Sequence, residues 1–178
     1  DVSTQWGTRT SGNDLAVSTH KFYIPATNSV DGSFGIQHYN LAVDVLAQAD
    51  FNPSNNELTI IGDTSGWIYT FNLTKDAWNE IMLVNDMVNG GVYAYINGIF
   101  LPDPITVTPA LLTSFADADL FAFANINQSV AGTVYHDEYS VVATNQLPSV
   151  ITGNIAFNDY TGAAITSVDV EIREAGTQ

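Results

Sequence analysis

At 178 residues, with 46% hydrophobic and 11% aromatic side chains, the chain has enough apolar material for one well-buried core, which excludes disorder. Nineteen acidic residues against four Lys and Arg give a formal charge of −15, which repels phosphate backbones and argues against nucleic acid as a partner. No run of 18 apolar residues is present to insert into a membrane, and the lack of cysteine removes disulfides, thiolate metal sites and cysteine nucleophiles.

Only 13% of residues are charged, so small polar residues carry solubility, a profile common in secreted and cell-surface β proteins. Asp1 in first place, without an initiator Met or an apolar leader, sets the expectation of a processed product. In chain order, Thr19 to Pro25 reads as a strand ended by proline, and Gly35 to Val45 as one strand buried on one or both faces. A turn at 52–56 precedes strands at Leu58 to Ile61 and Trp67 to Leu73. The segment Lys75 to Leu101 is the most informative. Its apolar run Ile81 to Val84, the Asn89-Gly90-Gly91 turn, the strand Val92 to Ile96 and the Asn97-Gly98 turn predict two consecutive hairpins, because Asn-Gly tolerates the left-handed backbone of a two-residue turn. Trp78, which opens this segment, is expected in the core. Pro102, Pro104 and Pro109 mark a loop or an edge, 110–118 suits a short helical turn, and Leu120 to Ile126 and Thr133 to Ala143 read as strands. Turns every ten or so residues predict an all-β antiparallel sandwich or jelly roll over 1–146. Beyond it, 147–178 reads as a linker and a two-stranded ribbon. There Val168, Val170 and Ile172 alternate with charged residues, and the ribbon needs an outside cover.

The stretch from about 15 to 143 resembles the concanavalin A-like lectin/glucanase superfamily in its laminin G-like and bacterial surface-protein branches. The residues that carry this are Trp78, Ile81, Leu83 and Asp86, the 91–98 run Gly-Val-Tyr-Ala-Tyr-Ile-Asn-Gly, the 134–141 run Val-Tyr-His-Asp-Glu-Tyr-Ser-Val, and Phe22-Tyr23-Ile24-Pro25. The tail from Ile151 to Gly162 is similar to the opening of an immunoglobulin-like or carboxypeptidase-regulatory-like module. The superfamily spans enzymes, lectins and adhesive modules, so the resemblance implies a fold rather than a chemistry.

The Glu-x-Asp-x-x-Glu pattern that would set two carboxylates on one strand face is missing from the sandwich, which argues against glycoside hydrolysis. His20, His38 and His136 show no ligand spacing and read as surface or half-buried polar residues. Calcium is the metal the acid excess favours. Its candidate ligands are Asp117 and Asp119, taken as loop residues leading into a strand, and Asp137; loop aspartates also cap turns through their own backbone. Trp67, Tyr93 and Tyr95, with Trp6 beside them, are candidates to stack on sugar rings, against the alternative that they pack in the core. Asn72 and Asn127 open glycosylation triplets. Two readings of function follow. The first is a non-catalytic extracellular structural or adhesive module that self-associates, or contacts neighbouring domains, through Ile155, Phe157, Val168, Val170 and Ile172. The alternative is a lectin-like module for neutral glycans, and a glycoside hydrolase stands third.

Overall fold

The computed structural model describes residues 2–63, 69–101, 105–124 and 131–147. Among the described residues a short helix, α1 (Val2–Gly7), leads into eleven strands: β1 (Leu15–Tyr23), β2 (Gly32–Asn40), β3 (Val45–Asn52), β4 (Glu57–Gly62), β5 (Tyr69–Asn72), β6 (Trp78–Asp86), β7 (Gly91–Ile96), β8 (Ile99–Phe100), β9 (Ile105–Thr106), β10 (Phe115–Ala124) and β11 (Tyr135–Thr144). All pairings among the described residues are antiparallel and fall into two sheets. One runs β11-β1-β6-β7-β8 with β9 beside β7, and the other runs β10-β2-β3-β4-β5. This is the two-layered antiparallel sandwich that the sequence predicts.

Alternation builds the core. Ala16, Ser18, His20 and Phe22 project inward from β1, Phe34, Ile36 and His38 from β2, and Ile81, Leu83 and Asn85 from β6. Phe22, Phe34 and Phe51 pack as a triangle with centroids 5.5, 5.9 and 5.0 Å apart, joined by Leu46, Leu58 and Ile60. Helix α1 closes one end by setting Trp6 against Phe115 at 5.5 Å, with the Arg9 guanidinium 4.2 Å over the indole and its fork on Asp14 at 2.6 Å. Trp6 is therefore core, not a sugar platform.

The double hairpin forms as predicted. Asn97 at φ 51° and Gly98 at φ 75° supply the left-handed pair, and Asn97 Oδ1 accepts the Glu80 amide at 2.8 Å. Three expectations fail. The strand expected over Gly35 to Val45 is two strands, broken at 41–44 where Val43 turns left-handed at φ 68° and Leu41 and Val43 are exposed. Asn40 makes that turn, because its Oδ1 accepts the amides of Ala42 and Asp44, both at 2.9 Å. The helical turn is confined to a single 3₁₀ turn at Pro109–Leu111, so Asp117 and Asp119 lie within β10, not in a loop. Trp78 is 51% exposed, since the parity that points Ile81 and Leu83 inward points Trp78 outward.

The tail ribbon, with Ile155, Phe157, Val168, Val170 and Ile172, lies outside the described residues, as do Trp67 and Asn127. Asn72 ends β5 in an exposed position.

Candidate functional site

Each sheet has an outer face turned away from the core, and the two faces differ. On the five-stranded sheet the residues alternating with the buried set are Ser33, Gln37 and Tyr39 of β2, Gln48 and Asp50 of β3, Thr59 of β4, and Asp117, Asp119, Phe121 and Phe123 of β10. Register sets them in rows across the strands. Tyr39 faces Asp117, Gln37 lies between Asp119 and Gln48, Gly35 lies between Phe121 and Asp50, and Ser33 faces Phe123.

The polar members form one hydrogen-bonded line. The Tyr39 hydroxyl donates to Gln37 Oε1 at 2.5 Å, Gln37 Nε2 donates to Gln48 Oε1 at 2.5 Å, and Gln48 Nε2 donates to Asp50 Oδ2 at 3.1 Å. Burial raises the Asp50 carboxyl above the usual carboxylate range, with Ser33 and Gln48 pulling it back down. Burial followed by the neighbouring Asp117 raises Asp119, and burial followed by Asp119 raises the Tyr39 phenol.

Gly35 gives this face a flat centre. A Cβ there would lie 1.8 Å from the Ala49 carbonyl oxygen, so the row between Phe121 and Asp50 has to be backbone. Phe121 and Phe123 stack on each other at 5.7 Å and 26°, and Phe123 is 56% exposed. The face thus joins a ring pair, with Phe123 exposed and Phe121 half-buried, to a fixed line of amide, phenol and carboxyl groups. That combination suits a ligand with apolar patches and many hydroxyls.

The basic side chains described here are engaged elsewhere. Arg9 holds Asp14, Lys21 Nζ is 2.5 Å from Glu138, and Lys75 Nζ donates to the Asn28 and Pro53 carbonyls, each at 2.6 Å. Among the described residues the face is therefore acidic and offers no cation to an anionic ligand.

The residues expected to bind are placed differently. Tyr93 and Tyr95 do leave the core, on the outer face of the six-stranded sheet. There they pack with Leu15, Val17, Met82, Val84 and Phe100, and Tyr95 is only 5% exposed. The three aspartates considered for calcium are not brought together: Asp117 and Asp119 share β10, whereas Asp137 lies on β11 in the other sheet, opposite Lys21. Among the described residues no group of three or more acidic or imidazole side chains converges on a metal position.

His20 and His38, expected at the surface or half-buried, are fully buried. His38 Nε2 lies 2.5 Å from the Ser18 hydroxyl, and His20 Nε2 lies 2.6 Å from His136 Nδ1 with the two rings stacked at 4.8 Å. The parity of β1 carried the signal, since Ser18 and His20 alternate with Lys21 and Thr19 in step with Phe22. Sequence reasoning also missed Gln37, Gln48 and Asp50, which meet only once the turn at 41–44 folds β3 back on β2.

No protein-family model and no curated protein sequence matches the chain. Solved structures do resemble it. An alginate lyase from Pseudomonas aeruginosa superposes with a TM-score of 0.57 at 11% identity, over 75% of this chain and 66% of the lyase. A sialidase gives 0.56 at 8% identity over 74% of this chain and 13% of its own, and a tetrameric galectin from the ball sponge Cinachyrella sp. gives 0.52 at 13% identity over 71% and 89%. The chain spans 66% of the lyase and a small part of the sialidase. At these identities the likeness is one of fold, a jelly-roll β-sandwich.

Proposed function

We propose that this chain is a non-catalytic, extracellular adhesive module that holds neutral glycans on the outer face of its five-stranded sheet. One observation carries the reading: the Tyr39–Gln37–Gln48–Asp50 line runs beside the Phe121–Phe123 stack on a face flattened by Gly35. Pyranose rings offer apolar C–H faces to rings and hydroxyl edges to amides and carboxylates, so both halves of the face have a counterpart in the ligand. Acidic surroundings without a free described cation favour neutral sugars over uronates and sulfates. The jelly-roll architecture, shared with a galectin, is compatible with this use.

Retention on columns of neutral glucans and galactans tests the reading, with alginate as the anionic control. The unmodified protein is expected to be retarded on at least one neutral polymer and to pass through alginate. Phe123→Ala and Gln48→Ala should each weaken that retention. No retardation on any neutral polymer would refute the proposal.

A second reading, self-association through added strands, is favoured by a separate observation. β10 and β11 are ten-residue strands at the same edge of the sandwich, and among the described residues each pairs on one side only. Their inward-facing Leu120 and Tyr139 are about as exposed as surface residues, although the Tyr139 hydroxyl bridges the two sheets by donating to the Ala118 carbonyl. A strand from a neighbouring copy would satisfy such an edge through main-chain hydrogen bonds. Sedimentation velocity over a concentration series tests it: a monomer at every concentration would count against assembly.

A further inference from the structure

We infer that the chain carries a second glycan-binding surface, the aromatic strip Tyr135–Tyr23–Trp78 on the outer face of the six-stranded sheet. It stacks the ring faces of neutral hexopyranoses and shares no residue with the five-stranded face, so each surface stands or falls by itself.

Register builds the strip. Tyr23 of β1 lies directly opposite Trp78 of β6 on one side and Tyr135 of β11 on the other, so three aromatic residues stand side by side across three adjacent strands. Ring centroids are 5.7 Å apart for Tyr23 and Trp78 and 6.0 Å apart for Tyr23 and Tyr135, close to the spacing between strands.

Trp78 and Tyr135 are 51% and 53% exposed. The other aromatics of this face, Tyr93, Tyr95 and Phe100, cover one another in the apolar cluster around Val17 and Val84. The strip is thus a separate patch, and folding does not require its rings to face water. A Trp placed half in solvent at the end of a strand forgoes burial that its indole would otherwise gain.

The strip is also held in place before any ligand arrives. The Tyr23 hydroxyl donates to Asp76 Oδ1 at 3.2 Å, and the same oxygen accepts the Ala26 amide at 2.7 Å. Asp76 is fixed in turn by its own amide, which donates to the Ile24 carbonyl at 2.8 Å. Fixing the central ring lowers the ordering cost of binding.

One row along the strands, Lys21 stands between Glu80 and Asp137 and reaches Glu138 at 2.5 Å. These groups offer hydroxyls both donors and acceptors. With Asp76 they make an acidic rim whose single cation is paired, so charge complementarity selects a neutral polymer over an anionic one. Two binding faces on opposite sides of a sandwich whose sheets lie about 10 Å apart cannot grip one short segment together. They would bridge two polysaccharide chains, which is the physical action of an adhesive.

The test titrates the whole protein with cellohexaose, laminarihexaose and galactohexaose, and measures the turbidity of mixtures with the corresponding polymers. The unmodified protein is expected to show two sites for at least one hexaose and to cross-link its polymer. Trp78→Ala with Tyr135→Ala should remove one site, weaken affinity there by about tenfold per ring and abolish turbidity, while the remaining site is unchanged. In the unmodified protein the same hexaose should shield Trp78 from N-bromosuccinimide, a readout that does not depend on any variant folding. Trp78 oxidised at the same rate with and without every hexaose, or a double variant with unaltered stoichiometry and turbidity, would overturn the inference. Phe123→Ala separates the two surfaces: if it leaves both sites intact the five-stranded face fails while the strip stands, and if it removes the site that survives the strip variant both stand.

Discussion

Two stretches of interior lie next to each other along the inward side of β1, and they are built from opposite chemistry. Around Phe22 the core is dry: Phe34, Phe51, Ile24, Leu58 and Ile60 fill it with rings and branched chains that have no polar atom to satisfy. Two and four residues earlier on the strand, His20 and Ser18 are equally buried, but their neighbours are His136, His38 and Asn85. Burial lowers the imidazoles of His20 and His38 to about 4, with the charge of His136 adding to the effect at His20 and the Asn85 side chain opposing it at His38. The dry stretch supplies stability that does not depend on pH. The polar stretch is stable only while its histidines stay neutral, so a single strand carries both the anchor of the fold and its most acid-sensitive point.

The largest effect is expected in the dry stretch. Phe51→Ala removes a fully buried ring from the three-Phe triangle, and large-to-small changes of this kind cost about 3–5 kcal/mol. Chemical denaturation at neutral pH measures it. A loss under about 1 kcal/mol would mean that the triangle is not the centre of the core and would erase the contrast between the two stretches.

Acid should act chiefly on the polar stretch. Both histidines have folded values of about 4 against 6.5 when unfolded, so above pH 6.5 neither state binds the proton and stability is flat. Between pH 6.5 and 4 the unfolded chain takes up protons that the folded chain refuses, and each unit of fall costs about 1.4 kcal/mol per histidine, or roughly 3 kcal/mol for His38 over the window. Asp50, raised by burial, works in the opposite sense at the lower end of that window. Denaturation midpoints taken from pH 7.5 to 4 report the slope. A flat profile through pH 5 would show that the buried imidazoles do not hold off protons.

The same contrast separates what was legible in the sequence from what was not. The double hairpin could be read because Asn97-Gly98 demands a left-handed pair that few other dipeptides tolerate, and both residues adopt it. The turn at 41–44 could not, because Leu41-Ala42-Val43 is apolar and β-prone, and the chain reverses there through the Asn40 side chain rather than through any turn dipeptide. That omission also concealed the polar line, since Gln37 and Gln48 become neighbours only across that hairpin. Trp78 and the buried histidines were within reach of parity: counting alternately from Ile81 and from Phe22 puts Trp78 outside and Ser18 and His20 inside. Composition had the opposite bias, since Trp is usually buried and His usually is not.

The smallest expected change is also the most discriminating. Ser18→Ala with His38→Leu replaces both partners of a buried polar contact by apolar groups of similar shape, so no donor or acceptor is stranded between them. At pH 7.5 the double variant should lie within about 1 kcal/mol of the parent, and either sign is allowed because swapping a buried polar pair for packed hydrocarbon is often neutral. His38→Ala alone should be clearly worse, since it leaves the Ser18 hydroxyl buried without its partner and opens a cavity beside Phe115, whose ring meets the imidazole edge-on at 5.2 Å. Between pH 6.5 and 4 the double variant should lose the part of the acid slope that His38 contributes and keep the part due to His20, which remains hydrogen-bonded to His136. If the slope of the double variant equals that of the parent, His38 does not set the acid limit, and the polar stretch of β1 would differ from the dry one in composition but not in its response to pH.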